Sequence, residues 1–368
     1  MRIRAAVLEA TGGPMPVQEL ELAEPRAREV LVRIEASGVC HSDQNAIDGT
    51  APTRCPAVLG HEGAGVVERV GPGVTRVAPG DHVALSWAPS CGVCDECLRE
   101  LPHLCSTAWP AMGEGGLVDR TTRLSRNGEP IYHYSFISSF AEAAVVPERS
   151  CVRIAADVPF EIAALVGCAV TTGVGAVWRT AGVRPGDRVA VFGCGGVGLS
   201  AVLAAAAAGA EPIVAVDLDA DKAAEAEELG ATAAVAWQGT PEETAQTVVD
   251  ASRGGVDYAI EATGRPDAML AAFLSTRTRG AAVLIGIPRE DAVLTLPALS
   301  IPRLERRVLG SLYGSSRPER DFGTILDLYR HGRLPLDRLV SHRFPFDDVG
   351  EAFDVLRSGK ARRVVLTA

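Results

Sequence analysis

The sequence predicts an α/β chain in which a β-rich part is joined to a doubly wound parallel sheet. Three observations point there. From Arg188 to Asp217 the order is strand, G-x-G-x-x-G, helix, strand and a terminal Asp. From about Thr171 onward, strand and helix patterns alternate, as they do when helices cover both faces of a parallel sheet. Before about residue 165 the apolar runs are short and cut by Gly and Pro, the habit of short strands.

In the first part, Glu29 to Ala36, Gly65 to Val70 and Asp81 to Leu85 read as strands, the last after the turn Pro79-Gly80. Cys40-His41-Ser42-Asp43 ends the first of these, and Gly60-His61-Glu62-Gly63 opens the second. Cys91, Cys94, Cys97 and Cys105 then crowd one loop. Four thiolates at such spacing close a tetrahedral zinc site and leave no corner for water, which suits a structural role. An iron–sulfur cluster, which also takes four Cys, and a loop without metal are the rival readings. Leu117 to Ser139 is a polar excursion. Trp87, Trp109, Met112 and Phe136 either line a substrate pocket or simply pack in the core. Arg120, Arg123 and Arg126 are either an anion-docking set or solvated charges.

Cys40, His61 and Cys168 offer two thiolates and an imidazole, a three-ligand zinc site with one open corner; alcohol dehydrogenase is the standard instance of that set. An open corner lets the metal act as a Lewis acid on an alcohol oxygen. Each of these residues taken alone also reads as an ordinary buried Cys or polar turn residue. Glu62 is a transient ligand, a supporting charge or a strand-edge carboxylate. Cys55, Cys151 and Cys194 are left as ordinary thiols.

In the second part, Val189 to Phe192 is a buried strand. Gly193 allows the tight turn, Gly195 lets backbone approach a pyrophosphate, and Gly198 lets helix and strand pack closely. Gly196 and Val197 sit at the N-terminus of the alanine-rich helix, whose free N–H groups face the phosphates. Asp217, about 20 residues on, accepts ribose hydroxyls and repels a 2′-phosphate, so NAD is expected. Lys222, one turn later, reaches the adenosine ribose or is a surface charge. Helices at Ala220 to Leu229 and Glu242 to Ser252 alternate with strands at Ala233 to Val235, Val256 to Glu261 and Ala281 to Gly286. After Leu309, Arg317 to Arg330 and Val349 to Leu356 read as amphipathic helices and Arg363 to Thr367 as a strand. Arg363 suits bidentate phosphate contact or is a surface charge.

The formal net charge of -10 over 368 residues argues against nucleic acid or an anionic membrane as main partner. MRIRAAVLEA lacks the apolar core of a signal peptide, and the alanine-rich helix is too short to cross a bilayer. A cytoplasmic protein is expected, and there clustered Cys suggest metal rather than disulfides.

Together GVCHSD, GHEGAGVVERVGPGV, PGDHV, the four-Cys loop, GCAVTTG, GCGGVG, VAVD and LRSGKARRVVLTA resemble the zinc-dependent medium-chain alcohol dehydrogenases over nearly the whole chain. The segment before Ser139 looks most similar to the animal-type and glutathione-linked formaldehyde dehydrogenases. The resemblance implies a GroES-like catalytic domain over 1–169, a Rossmann domain over 170–311 and a return to the catalytic domain over 312–368. It implies a catalytic zinc on Cys40, His61 and Cys168 with Glu62 beside it, a second, structural zinc, and a homodimer. By position Ser42 relays the alcohol proton, Thr172 and Val197 pack near the nicotinamide, and Trp87 lies in the substrate pocket. His41 stands where many relatives have an Arg near the pyrophosphate, and Asn45 where a His often ends the relay. The expected activity is hydride transfer between an alcohol, or its aldehyde or ketone, and NAD. A dehydrogenase that never releases its NAD, a thiol-adduct formaldehyde dehydrogenase and a non-catalytic NAD- and zinc-binding protein are the alternatives.

Overall fold

The computed structural model describes residues 1–368. The chain divides into two compact units. The first holds Met1–Cys168, Arg317–Arg330 and Val340–Ala368; the second holds Ala169–Ser316 and His331–Leu339. The return expected at 312 thus begins at Arg317, and 331–339 go with the sheet unit, because Leu334, Leu336 and Leu339 are fully buried there.

In the first unit, strands Arg2–Leu8, Val17–Leu22, Leu124–Arg126, Glu129–His133 and Ala57–Val58 close a barrel. A second sheet runs through Cys151–Arg153, His82–Leu85, Glu62–Val70, Glu29–Val39, Arg363–Thr367 and Val340–Pro345. Strand Glu29–Val39 is its centre: Val30, Leu31, Val32, Ile34, Ala36 and Val39 are apolar and buried, as pairing on both edges requires. The 117–139 segment is therefore no loose excursion. Leu124 pairs with Ile131 across a hairpin, and Leu117, Leu124, Ile131 and Phe136 are buried in the barrel core.

Arg123 corrects the solvated-charge reading of its segment. It is 2% exposed, and its guanidinium is held by Glu29 at 2.8 Å and Asp119 at 2.6 Å. Arg120 pairs with Glu114 and Arg126 with Glu9, so all three arginines already have carboxylate partners.

The second unit is a six-stranded parallel sheet in the order Ala233–Ala236, Ile213–Asp217, Val189–Phe192, Val256–Glu261, Thr276–Leu284, Arg307–Gly310. Its centre is apolar along whole strands, as burial on both faces requires. Helix Pro241–Ala251 starts on a Thr240–Glu243 capping box, and helix Pro266–Ser275 carries a Pro in its first turn. The strand expected to start at Ala281 begins at Thr276.

Candidate active site

The site in the first unit is assembled where strand ends meet a helix start. Cys40 does not merely end a strand: it is the N-cap of helix His41–Asp48. Asp43, three residues on, closes the turn by accepting from Cys40 N–H at 3.2 Å. The other Asp43 oxygen accepts from Gly60 N–H at 3.1 Å and contacts His61 Nδ1 at 3.0 Å. One buried carboxylate therefore positions two of the expected ligands.

Cys40, His61, Glu62 and Cys168 each offer a ligand atom, all within 4.8 Å of one another. With Nδ1 taken by Asp43, Nε2 of His61 is the atom left for a metal, and it is buried without a hydrogen-bond partner. Such an atom is costly unless something coordinates it. Two thiols and an imidazole in a buried cluster suit zinc by donor type, and Asp43 fixes the ring's tautomer and orientation. The hydrogen bond from Cys168 holds the Cys40 thiol well below its ordinary range, helped by His61 and Arg363 against burial. Cys168 is pushed up by the same contact.

Glu62 is fully buried, and burial pushes its carboxyl up to about 7 despite the pull of Arg363. Its carboxylate occupies space that Gly38 vacates: a Cβ there would stand 2.0 Å from Glu62 Oε2. Arg363 is 4% exposed and ion-paired to Glu62, so it is not a surface charge. Ser42 and Asn45 lie one turn apart on helix His41–Asp48, both half-buried, and His41 is exposed. Tyr134 donates its hydroxyl to Ser42 O at 2.9 Å and meets the His61 ring edge-on at 5.8 Å. The sequence reading missed Asp43, Gly38 and Tyr134. Only Asp43 left a signal, its capping distance from Cys40.

Trp87 stacks edge-to-face on Trp109, centroids 6.1 Å apart. The pair lines a narrow cleft with His103, Met112 and Phe136, so the four residues grouped in the sequence do share one wall. Beside it, the ligand atoms of Cys91, Cys94, Cys97 and Cys105 also lie within 4.8 Å of one another. Backbone N–H groups point at sulfur here: Cys94 to Cys91 at 3.2 Å and Cys91 to Cys105 at 3.3 Å. Cys91 is brought down to about 6, with burial opposing hydrogen bonds from Thr107, Val93 and Cys94, whereas burial pushes Cys97 up to about 12.

In the second unit, Gly193 takes φ +95°, a conformation that glycine alone adopts freely. A Cβ on Gly198 would stand 1.7 Å from Gly193 O, so close packing of helix on turn needs a glycine there. Gly195 is the N-cap of helix Gly196–Ala207 with no side-chain cap, and a Cβ on it would meet no atom within 4 Å. Unpartnered first-turn N–H groups above open space fit an anionic phosphate. Asp217 accepts from Cys194 N–H at 2.7 Å and Asp219 N–H at 3.0 Å, fixing both carboxylate oxygens at the end of the neighbouring strand. Lys222 lies in the helix that follows, near enough to Cys194 to lower its thiol, though burial dominates and raises that thiol to about 12. Helix Ala169–Gly175 packs on the glycine helix so closely that a Cβ on Gly173, next to Thr172 in sequence, would stand 2.2 Å from Val197 O.

Residues 26–156 match the alcohol dehydrogenase GroES-like domain, and residues 196–330 match the zinc-binding dehydrogenase model. An alcohol dehydrogenase zinc-binding domain protein from Burkholderia ambifaria is similar over 100% of this chain and 99% of its own, with 36% identity and a TM-score of 0.95. Benzyl alcohol dehydrogenase from Acinetobacter calcoaceticus is 32% identical over 100% of this chain and 99% of its own, with a TM-score of 0.94. A zinc-binding dehydrogenase structure from Sinorhizobium meliloti 1021, bound to NADP, is 27% identical over the full length of both chains, with a TM-score of 0.80. With its α/β fold of GroES-like and Rossmann domains, the chain belongs to the zinc-dependent medium-chain alcohol dehydrogenase family.

Proposed function

We propose that this protein oxidises aromatic primary alcohols to aldehydes with NAD, using one catalytic and one structural zinc. The observation that carries the reading is the buried cluster of Cys40, His61 and Cys168, with an uncoordinated Nε2 on His61 and a finished support of Asp43, Glu62 and Arg363. Zinc held there supplies a Lewis acid for the alcohol oxygen, and NAD supplies the hydride acceptor. The protein's own residues do the rest. Ser42 takes the alcohol proton, and Tyr134 steadies the Ser42 backbone. Asn45 has no basic atom near neutral pH, so the relay ends at the ribose or in solvent. Glu62 and Arg363 hold a neutralised pair beneath the ligands.

Asp217 supports NAD over NADP, because its charge is fixed where a 2′-phosphate would sit. Exposed His41 in place of a guanidinium favours a cofactor that exchanges. The Trp87–Trp109 wall and the benzyl alcohol relative favour an aromatic substrate. With Arg120, Arg123 and Arg126 all ion-paired, the thiol-adduct reading, and with it the formaldehyde branch, is less well supported. We infer a cytoplasmic homodimer. The nine cysteines are free. Edge strand Arg307–Gly310 carries exposed Val308, with Leu299 and Ile301 exposed nearby.

Steady-state turnover tests this. With NAD, kcat/KM for benzyl alcohol should exceed that for ethanol by at least about tenfold, the worth of well-filled apolar contacts. Full activity in verified zinc-free protein would end the reading.

A further inference from the structure

The glycine turn has a neighbour that neither the metal clusters nor the ribose carboxylate uses. Glu261 ends strand Val256–Glu261, which pairs with Val189–Phe192 on the side opposite the strand carrying Asp217. A dinucleotide on a doubly wound sheet lies across the carboxyl ends of the strands, with its two halves on either side of the glycine turn. Asp217 marks the adenosine side, so Glu261 stands on the nicotinamide side.

Its place is tightly fixed. Glu261 is the register partner of Phe192 and is fully buried. A Cβ on Gly193 would stand 2.7 Å from Thr263 Cγ2, so the 261–264 turn rests directly on the glycine turn. Oε1 accepts from the N–H groups of Thr263 at 2.6 Å and Gly264 at 2.9 Å, and from the Thr263 hydroxyl. Oε2 is buried and has no partner. Its register neighbours are Phe192 and Leu284, and its hydrogen bonds come from neutral groups; no Lys or Arg pairs with it. A buried carboxylate without a counter-charge is costly, and neutral donors offset only part of that cost.

We propose that Glu261 supplies the counter-charge for the oxidised, cationic nicotinamide ring and so raises affinity for NAD⁺ without raising it for NADH. The inference rests on the dinucleotide reading of the glycine turn and adds a residue that discriminates between the cofactor's two redox states. A bound cation supplies the opposite charge that this carboxylate lacks, whereas the neutral reduced ring supplies none.

Calorimetric titration of the full-length protein with NAD⁺, NADH and AMP tests this. Glu261→Gln keeps an acceptor for the Thr263 and Gly264 donors and removes the charge. It should weaken NAD⁺ by at least about fivefold, well under the full attraction of two close charges at an effective dielectric near 20, and leave NADH and AMP within about twofold. Equal changes in NAD⁺ and NADH, or no change in either, would overturn the proposal. Should that variant fail to fold, Glu261→Asp keeps the charge, and the ratio of the two affinities should stay within about twofold of the unmodified protein. A ratio shifted by about fivefold in that variant would also overturn it. If the unmodified protein binds neither nucleotide, the dinucleotide reading falls, and this proposal with it.

Discussion

The two cysteine clusters of the first unit are built in opposite ways. Cys91, Cys94, Cys97 and Cys105 come from one loop, and three of the four are only half-buried. Their polar support is mostly local backbone N–H. Cys40, His61 and Cys168 come from a helix start, a strand start and the segment between two helices. Their support is a set of buried charges: Asp43, Glu62 and Arg363. A metal in the loop cluster stands in for a core that the loop lacks. A metal in the buried cluster sits in a framework that many distant contacts already fix, which a reactive site needs.

The largest expected effects separate these roles. Cys40→Ser should lower kcat by about a thousandfold or more, because a direct ligand to the reacting metal is weakened, while the thermal midpoint shifts little. Cys97→Ser should do the reverse. The thermal midpoint falls, and kcat per folded, NADH-binding molecule stays within about threefold. Metal content, turnover and thermal unfolding on both variants check the pair. Equal loss of kcat in both would erase the distinction.

Smaller, but still large, is the cost of breaking the buried charges. Arg363→Leu strands Glu62 as a buried carboxylate and should cost about 3–5 kcal/mol of unfolding free energy. Arg363→Leu with Glu62→Leu should recover much of that, because no lone charge remains. Arg99 and Asp95 beside the loop cluster, 3.8 Å apart and mostly exposed, give the contrast. Arg99→Ala should stay within about 0.5 kcal/mol. Urea unfolding of the four proteins measures these differences directly.

The same contrast explains what could be read from the chain. The loop cluster was visible because its four ligands are close in sequence. The glycine turn was visible because strand, turn, helix and Asp217 follow one another without a gap. Cys40, His61 and Cys168 are far apart in sequence; their donor types alone suggest a set, each has an ordinary buried reading too, and the family resemblance is what favours the set. Asp43 and Gly38 were passed over because their work is spatial: one carboxylate reaching two strand ends, and one missing Cβ making room for Glu62. Arg123 was misread because nothing near it in sequence announces Glu29, its buried partner. The 117–139 hairpin was misread because its polar residues face out and its few apolar ones close the barrel.

The smallest expected effect tests the support around each cluster. Asp43 holds the His61 ring and the Cys40 and Gly60 backbones at once. Asp43→Asn keeps the shape and one acceptor, but its amide nitrogen cannot accept, and the charge that favours a metal-directed Nε2 is gone. Metal affinity at the buried cluster should fall about 10–100-fold. Thr107 is the nearest equivalent on the loop, donating its hydroxyl to Cys91 Sγ at 3.4 Å at an exposed position. Thr107→Val removes one hydrogen bond worth about 0.5–1.5 kcal/mol and should cost only about 2–10-fold. Competition against a chromophoric chelator resolves both steps in one titration. If Thr107→Val costs as much as Asp43→Asn, then the loop cluster also depends on side-chain support, and its metal is held by more than ligand spacing.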